Sequence, residues 1–320
     1  MQGFVQLVVA VCCAAAFAVH AQGYPTKSIR LIVPFAPGGG TDLIGRIVAQ
    51  QMSEALGHQF VVDNRGGAGS VLGSDLASKA PPDGYTLLLG NISLAFNASL
   101  YRRLPFDAVR DLAAVTLVAV QPNILVVNPG LPAKTLKEFV ELARAQPGKL
   151  TYASAGTGSG THLAMELLKL QLKLDIVHVP YKGTGPALTD VIGGQVSSML
   201  STFASALPHV KTARLRALGV TSKARSPAAP DVPTLIEAGV PDYEYATWYG
   251  LLAPRGTPTA IVDKLAKTAG AVLVSEDAKR KLEAQGVEAL LDTPAQFAAY
   301  LKSETAKWAR VVKEAHIPQQ

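Results

Sequence analysis

The chain has 320 residues, 48% of them hydrophobic and 17% charged, with a formal net charge of +6. That length suits two domains rather than one ordinary core, and the composition excludes a disordered, fibrous or coiled-coil chain. The basic residues are dispersed, and their densest run, Lys279-Arg280-Lys281, reads as the solvated face of a helix, so no nucleic-acid partner is indicated.

Leu7 to Val19 is almost wholly apolar, and no Lys, Arg, Asp or Glu precedes Lys27. The run is too short to span a bilayer comfortably. Val19-His20-Ala21 offers compact residues for cleavage, so residues 1–21 read as a secretory signal peptide with the mature chain starting near Gln22. Cys12 and Cys13 both lie in this segment, which leaves the mature chain no disulfide, thiolate metal site or cysteine nucleophile. Lipid attachment at either cysteine is the minority reading, because Val9-Ala10-Val11 puts Val where a small residue should precede the cysteine. No later apolar run reaches membrane-spanning length.

Short strand-like runs then alternate with helical patterns. Ile29–Phe35 reads as a buried strand. Leu43, Ile44, Ile47, Val48, Met52 and Leu56 fall at helical spacing, with Thr41 or Asp42 as cap and Gly57 as stop. Phe60–Asp63 and Tyr85–Leu89 are strands, separated by a small-residue helix opened by Gly66–Gly73. The pattern restarts with a strand at Ile124–Val127 and a capping box, Thr135 with Glu138. Leu150–Ala153, Ile176–Val179, Val196–Leu200 and Leu215–Val220 are further strands. Pro186 is expected as a first helical residue after Gly185, with Gly193-Gly194 as the stop. Residues 222–242 read as surface loop, and Trp248–Ala253 as a strand. Thr257-Pro258 and Thr293-Pro294 each start a C-terminal helix. The repetition predicts an α/β fold with parallel sheets and helices on their faces. Residues 22–122 plus 248–320 form lobe 1 and residues 123–247 lobe 2, with a cleft between them.

In such sheets ligands bind beyond the carboxyl ends of the strands. Three Gly-rich loops are expected there: Pro34 to Asp42, Ser154 to His162, and Tyr181 to Pro186. Each ends a strand and starts a helix, where free N–H groups and a partial positive charge favour a carboxylate or phosphate. Thr157, Ser159 and Thr161 add hydroxyl donors. Each hydrogen bond to a charged group contributes about 1.5–3 kcal/mol. A micromolar ligand needs roughly 8 kcal/mol, so three to five such bonds suffice without an arginine. For any one loop alone, a tight strand-to-helix turn is the simpler explanation.

Enzyme signatures are weaker. Gly158-Ser159-Gly160 lacks the spacing of a nucleophile elbow, and Ser159 with His162 looks more like a helix cap than a nucleophile–base pair. The first loop lacks the Lys-Ser/Thr ending of a phosphate-binding loop. His58, His178, His209 and His316 are scattered without metal spacing. No catalytic residue, metal or cofactor is assigned. Trp248 and Tyr249 fit a cleft lining or a core.

The chain resembles the solute receptors of tripartite tricarboxylate transporters, the Bug receptors. The likeness runs over the whole mature chain: Tyr24-Pro25 with Ile29–Phe35, Pro37-Gly38-Gly39 with Asp42, and Asn64-Arg65-Gly66-Gly67-Ala68-Gly69. It continues through Pro82 to Leu87, Ser154-Ala155-Gly156 to His162-Leu163, and Val179-Pro180-Tyr181-Lys182-Gly183. Ala206 to His209, Pro230 to Thr234 and Trp248-Tyr249-Gly250 complete it. The resemblance implies a type II periplasmic-binding-protein fold closing by hinge motion on an organic acid held by main-chain groups and waters. It implies Phe35, Ala36, Gly38, Gly39 and Asp42 on the first lobe. Ser154, Ala155, Gly156, Thr157, Ser159 and His162 would serve the second, with Tyr181, Gly183, Gly185 and Pro186 beside them. Ser93 is counted with the site, although Gly90-Asn91-Ile92-Ser93 departs from the family pattern, as do Ser197 and Ser201. The implied protein is a periplasmic, monomeric receptor that hands a small carboxylate to membrane permease subunits. The alternatives are a serine-dependent hydrolase using Ser159 and His162, and a carboxylate sensor without a transport role.

Overall fold

The computed structural model describes residues 23–314, 317 and 319. The expected signal peptide, both cysteines and His316 lie outside the described residues. The chain begins with β1 (Ile29–Val33), α1 (Gly40–Leu56), β2 (Phe60–Asn64), a short 3-10 turn, α2 (Val71–Ser78), β3 (Thr86–Asn91) and α3 (Ser93–Leu100). Then come β4 (Leu112–Val127), α4 (Leu136–Ala145), β5 (Thr151–Ser154), α5 (Gly160–Leu172), β6 (Val177–Pro180) and α6 (Thr184–Ile192). Next are β7 (Ser198–Thr202), α7 (Phe203–Lys211), β8 (Arg216–Val220) and β9 (Ala246–Pro254). The chain closes with α8 (Thr259–Leu273), α9 (Glu276–Glu283), β10 (Glu288–Ala289) and α10 (Pro294–Glu314).

The strand order is β2-β1-β3-β9-β4-β7-β5-β6, with β8 and β10 also on β4. The expectation of purely parallel sheets is corrected. β1 pairs in parallel with β2 and β3, and β5 with β6 and β7, but β4 and β9 run antiparallel to their neighbours. β4 is shared. Leu112 to Pro122 pair with β9, and Asn123 to Val127 pair with β7. The sheet thus has two halves joined by the β4–β9 ribbon.

Local signals explain most element ends. In α1, Ile44, Val48 and Met52 are buried on one face, and Gly57 closes the helix in the left-handed region. Its N-cap is Gly39, not Thr41 or Asp42, which lie inside the first turn. The Thr135–Glu138 capping box is present, and Thr293 accepts from the Gln296 N–H at 3.3 Å to start α10. Pro186 is the third residue of α6, where the N–H it lacks would have no partner within the helix. Pro258 caps α8 rather than entering it. Residues 222–242 hold no helix, but Val220 bridges Thr234, and Leu235 and Val240 are buried. Lys279, Arg280 and Lys281 lie on α9 and pair with Glu276 and Asp277. No helix among the described residues is long and apolar enough to cross a membrane.

The core lies under the ribbon as well as under each half. Trp248 and Tyr249 are fully buried and are core residues rather than cleft lining. Glu304 accepts from the indole N–H groups of Trp248 at 3.3 Å and Trp308 at 3.0 Å, which fastens α10 to β9. Gly250 lies against the buried Phe297 ring, where an added Cβ would come within 2.0 Å of Cζ. Gly250→Ala is therefore expected to destabilise the fold by about 1–3 kcal/mol through overpacking, read as a lower midpoint in urea unfolding.

Candidate functional site

The carboxyl ends of β1, β3, β5 and β7 converge on one small cavity. It measures about 20 Å³ and is lined by Phe35, Gly39, Gly40 and Thr41, by Asn91, by Ala155, Ser159, Gly160 and Thr161, and by Thr184, Thr202 and Thr247. Its volume is room for roughly one water, so a larger solute enters only when the walls part. Four helices, α1, α5, α6 and α7, start at this point.

Those starts differ in how their N–H groups are satisfied. In α5, Ser159 accepts from the His162 N–H at 3.3 Å, and the Gly160 N–H donates to Ser93 Oγ at 3.2 Å. In α7, the Ala204 N–H donates to Gln121 Oε1 at 2.9 Å. α1 and α6 have no side-chain cap, with Gly39 and Gly183 at their N-caps. First-turn amides of a helix have no partner within it and carry partial positive charge. The cavity therefore faces two uncapped helix starts and the hydroxyls of Thr41, Ser159, Thr161, Thr184, Thr202 and Thr247. No charged side chain lines it. The arrangement can hold an anion by dipoles and hydrogen bonds.

The glycines have a second use. Loops from the two halves meet main chain to main chain around the cavity. The Ala36 N–H donates to Lys182 O at 3.0 Å, and Tyr101 Oη donates to Thr157 O at 2.8 Å. A Cβ on Gly185 would come within 2.4 Å of Pro37 O, one on Gly183 within 2.8 Å of Ala36 N, and one on Gly69 within 2.2 Å of Thr157 O. Only glycine lets these backbones approach so closely.

The expected residues divide by place. Phe35, Gly39, Ala155 and Ser159 line the cavity. Ala36, Gly38, Gly156, Thr157, Gly183 and Gly185 form the seam, and Ser93 bridges it to Gly160. Asp42 is buried beneath its loop, accepting from the Gly38 N–H and Asn64 Nδ2, each at 3.0 Å, and pairing with Arg46 at 3.0 Å. Tyr181 points away, donating to Asp190 at 2.6 Å, and Pro186 is exposed. Ser197 bonds Thr151, off the cavity, and Ser201 donates to Thr202 O. Thr161, expected as a hydroxyl donor, also lines the cavity, and the lining residues absent from the expected set are Gly40, Thr41, Asn91, Gly160, Thr184, Thr202 and Thr247. Most sit inside the quoted loops. Thr202 and Thr247 come from β7 and β9, and only tertiary pairing brings them in.

Behind the second loop stands a stack that the sequence does not reveal. The His162 and His178 rings lie 4.2 Å apart, and Tyr152 stacks on His178 at 4.8 Å. β5 and β6 set this up by pairing Tyr152 with His178. His162 Nδ1 accepts from the Gly158 N–H at 3.4 Å, and His178 Nε2 lies 2.6 Å from Ser154 Oγ, which accepts from the Gly156 N–H. The loop is thus braced through neutral imidazoles. Burial lowers the pKa of His162. Burial, then His162 and Lys169, pull His178 down to about 3. Ser159 is a cap for His162, as its spacing suggests, and its hydroxyl meets the His162 main chain rather than the ring.

A family profile described as the tripartite tricarboxylate transporter family receptor matches residues 44–317. A UPF0065 protein encoded between tcbD and tcbE in a Pseudomonas species is 40% identical over 292 residues, 91% of this chain and 87% of that protein. BugT of Bordetella pertussis is 38% identical over 298 residues, 92% of this chain and 91% of its own. Among solved structures, the periplasmic binding protein BugD superposes with a TM-score of 0.90 at 33% identity, over 93% of this chain and 100% of that one. Rpa4515 of R. palustris, solved with adipate, has a TM-score of 0.90 at 36% identity, over 93% and 100% of the two chains. MatC of Rhodopseudomonas palustris, solved with bound malate, has 0.85 at 34%, over 90% and 100%.

Two outcomes follow from this geometry. Gly185→Ala keeps a helical residue but puts a methyl into Pro37 O, so the seam is expected to stay parted, seen as a larger radius of gyration in small-angle scattering without loss of helix. The histidines stay neutral in the fold while the unfolded chain protonates below the ordinary 6.5. Unfolded protein then binds more protons, and stability falls as pH drops from about 6.5 towards about 3. The melting temperature is expected to fall over this window, and to fall less in His178→Gln.

Proposed function

The chain belongs to the tripartite tricarboxylate transporter receptor family, and we propose that it is a periplasmic receptor that captures a small organic acid in the cleft and delivers it to membrane permease subunits. The observation that carries this reading is the convergence of two uncapped helix starts, α1 and α6, on a hydroxyl-lined cavity without a charged side chain. Such a site favours a carboxylate, whose charge is met by amide dipoles and whose oxygens accept from several donors at once. The adipate and malate of the two R. palustris relatives support a dicarboxylate of four to six carbons.

In this reading residues 22–122 plus 248–320 act as lobe 1 and residues 123–247 as lobe 2, and the receptor works as a monomer. β4 and the segment entering β9 form the two crossings. One carboxylate rests against the first turns of α1 and α6, with Thr41 and Thr184 beside it. Asn91, Thr202 and Thr247 face the rest of the acid. The Gly-rich seam then closes over it. The polar groups are preorganised by the fold, so little ordering cost is left to binding. The hydrolase alternative draws no support from Ser159, whose hydroxyl is engaged as a helix cap.

Calorimetry with malate and adipate tests the proposal. A bound acid at a hundred times its Kd should also raise stability by about 2.7 kcal/mol. Thr184→Val, which removes one donor at the α6 start, is expected to weaken binding about tenfold. Tight binding of a neutral solute, with no response to any mono- or dicarboxylate, would overturn the assignment.

A further inference from the structure

The polar atoms of the cavity's lining residues divide unevenly into spare donors and spare acceptors. Thr184 is 5% exposed, and its hydroxyl has no partner among the described residues. Thr41 accepts from Asn91 Nδ2 at 3.2 Å, which leaves its own proton to give. The hydroxyls of Ser159 and Thr161 lie 3.1 Å apart, and each already accepts from a main-chain N–H, that of His162 and that of Ala155. One of their two protons joins the pair, and the other is spare. The first-turn amides of α1 and α6 add to these donors.

The acceptors are spent elsewhere. Phe35 O accepts from Asn64 Nδ2 at 3.0 Å, and Gly160 O from Tyr245 Oη at 2.9 Å. Gly39 O and Ser159 O accept from the Leu43 and Leu163 N–H groups, each at 3.0 Å. Asn91 Oδ1 accepts from the Ser93 N–H at 3.0 Å. Thr247 gives its proton to Asn123 Oδ1 at 2.8 Å, so its oxygen is left to accept. Among the described residues no carboxylate lines the cavity. Asp42, in the first turn of α1, is engaged by the Gly38 N–H, Asn64 and Arg46. Glu166, bonded to Tyr152, pairs with Lys169 at 2.7 Å.

We propose that the cavity selects dicarboxylates whose carbon chain bears no ammonium group, taking succinate and malate and rejecting aspartate. This inference rests on the capture function proposed above and names the class of acid within it. Carboxylate oxygens use the spare donors. A hydroxyl on the chain is a single O–H that the Thr247 oxygen can accept. An ammonium brings three N–H donors and a full charge to a lining whose free groups are themselves donors, beside two helix starts of partial positive charge. A charge buried without a counter-charge is costly. Asn91 is the position where one side chain would reverse the preference. It is buried at the cavity wall, and aspartate there would keep its shape, accept from the Ser93 N–H and the Thr41 hydroxyl, and supply the missing counter-charge.

The test is calorimetry at neutral pH with succinate, L-malate and L-aspartate, which differ only in carrying H, OH or an ammonium on the second carbon, and with adipate as a reference acid. Each is titrated into the wild-type full chain and into Asn91→Asp. The wild type is expected to bind succinate and malate at least about a hundredfold more tightly than aspartate. Asn91→Asp is expected to shift that ratio about tenfold or more towards aspartate. Wild-type binding of aspartate within about tenfold of malate overturns the inference and leaves capture of an organic acid standing. Binding of adipate with none of the three four-carbon acids does the same. If no acid binds, the capture reading falls and this inference with it. A folded Asn91→Asp protein with the wild-type ratio overturns the counter-charge explanation. If that variant does not fold, Thr202→Asp puts a carboxylate on the same lining and is read in the same way.

Discussion

A buried strand must pair its N–H and C=O groups at every residue, and β4 meets that demand with two sets of partners in turn. Up to Pro122 it bonds β9, and from Asn123 onward β7 and β8. Pro122, which has no N–H, stands opposite Ala246 at the end of the β9 ladder. The Asn123 N–H that follows is taken by Thr221 Oγ1 at 2.7 Å. Both main-chain groups of Asn123 are thus bonded at the handover, its carbonyl accepting from the Thr221 N–H at 2.9 Å. Because one strand runs through both halves, their strand ends and helix starts are held on one side of a shared ribbon. Everything said of the cavity and the seam depends on that continuity.

Much of this arrangement was legible in the sequence because its signals are local. The three loops, the Thr135 capping box and the Gly57 stop each rest on residues a few positions apart. Leu112 to Gln121 are not expected as strand, since Pro122 looks like a boundary and nothing nearby shows that the partner changes there. α7 is not expected either, for a similar reason. Pro208 lies inside it, and a proline is a poor helix-interior residue. Thr202 and Thr247 reach the site through pairing between distant strands. His178 joins His162 only because β5 and β6 lie side by side. Asp42 is expected as a cap or site residue, yet it braces its loop from inside α1, with Gly38, Arg46 and Asn64 on β2 as its three partners.

The site also shows how the same kind of helix start can serve two ends. Where Ser159, Ser93 or Gln121 supplies an acceptor, the first turn is satisfied inside the protein. Where glycine holds the cap position, in α1 and α6, the amides remain for something from outside. The glycines also let main chain touch main chain across the seam. One residue type therefore leaves two helix starts uncapped and lets the seam pack tightly.

A main-chain amide has a property that no side chain shares, which is that ordinary substitution does not delete it. Point changes at Asn91, Thr202 or Thr247 alter the far wall of the cavity while the first turns of α1 and α6 stay where the backbone puts them. In the proposed reading, a lineage can therefore explore new cargo one wall residue at a time while the amides at the two helix starts keep their hold on the acid group.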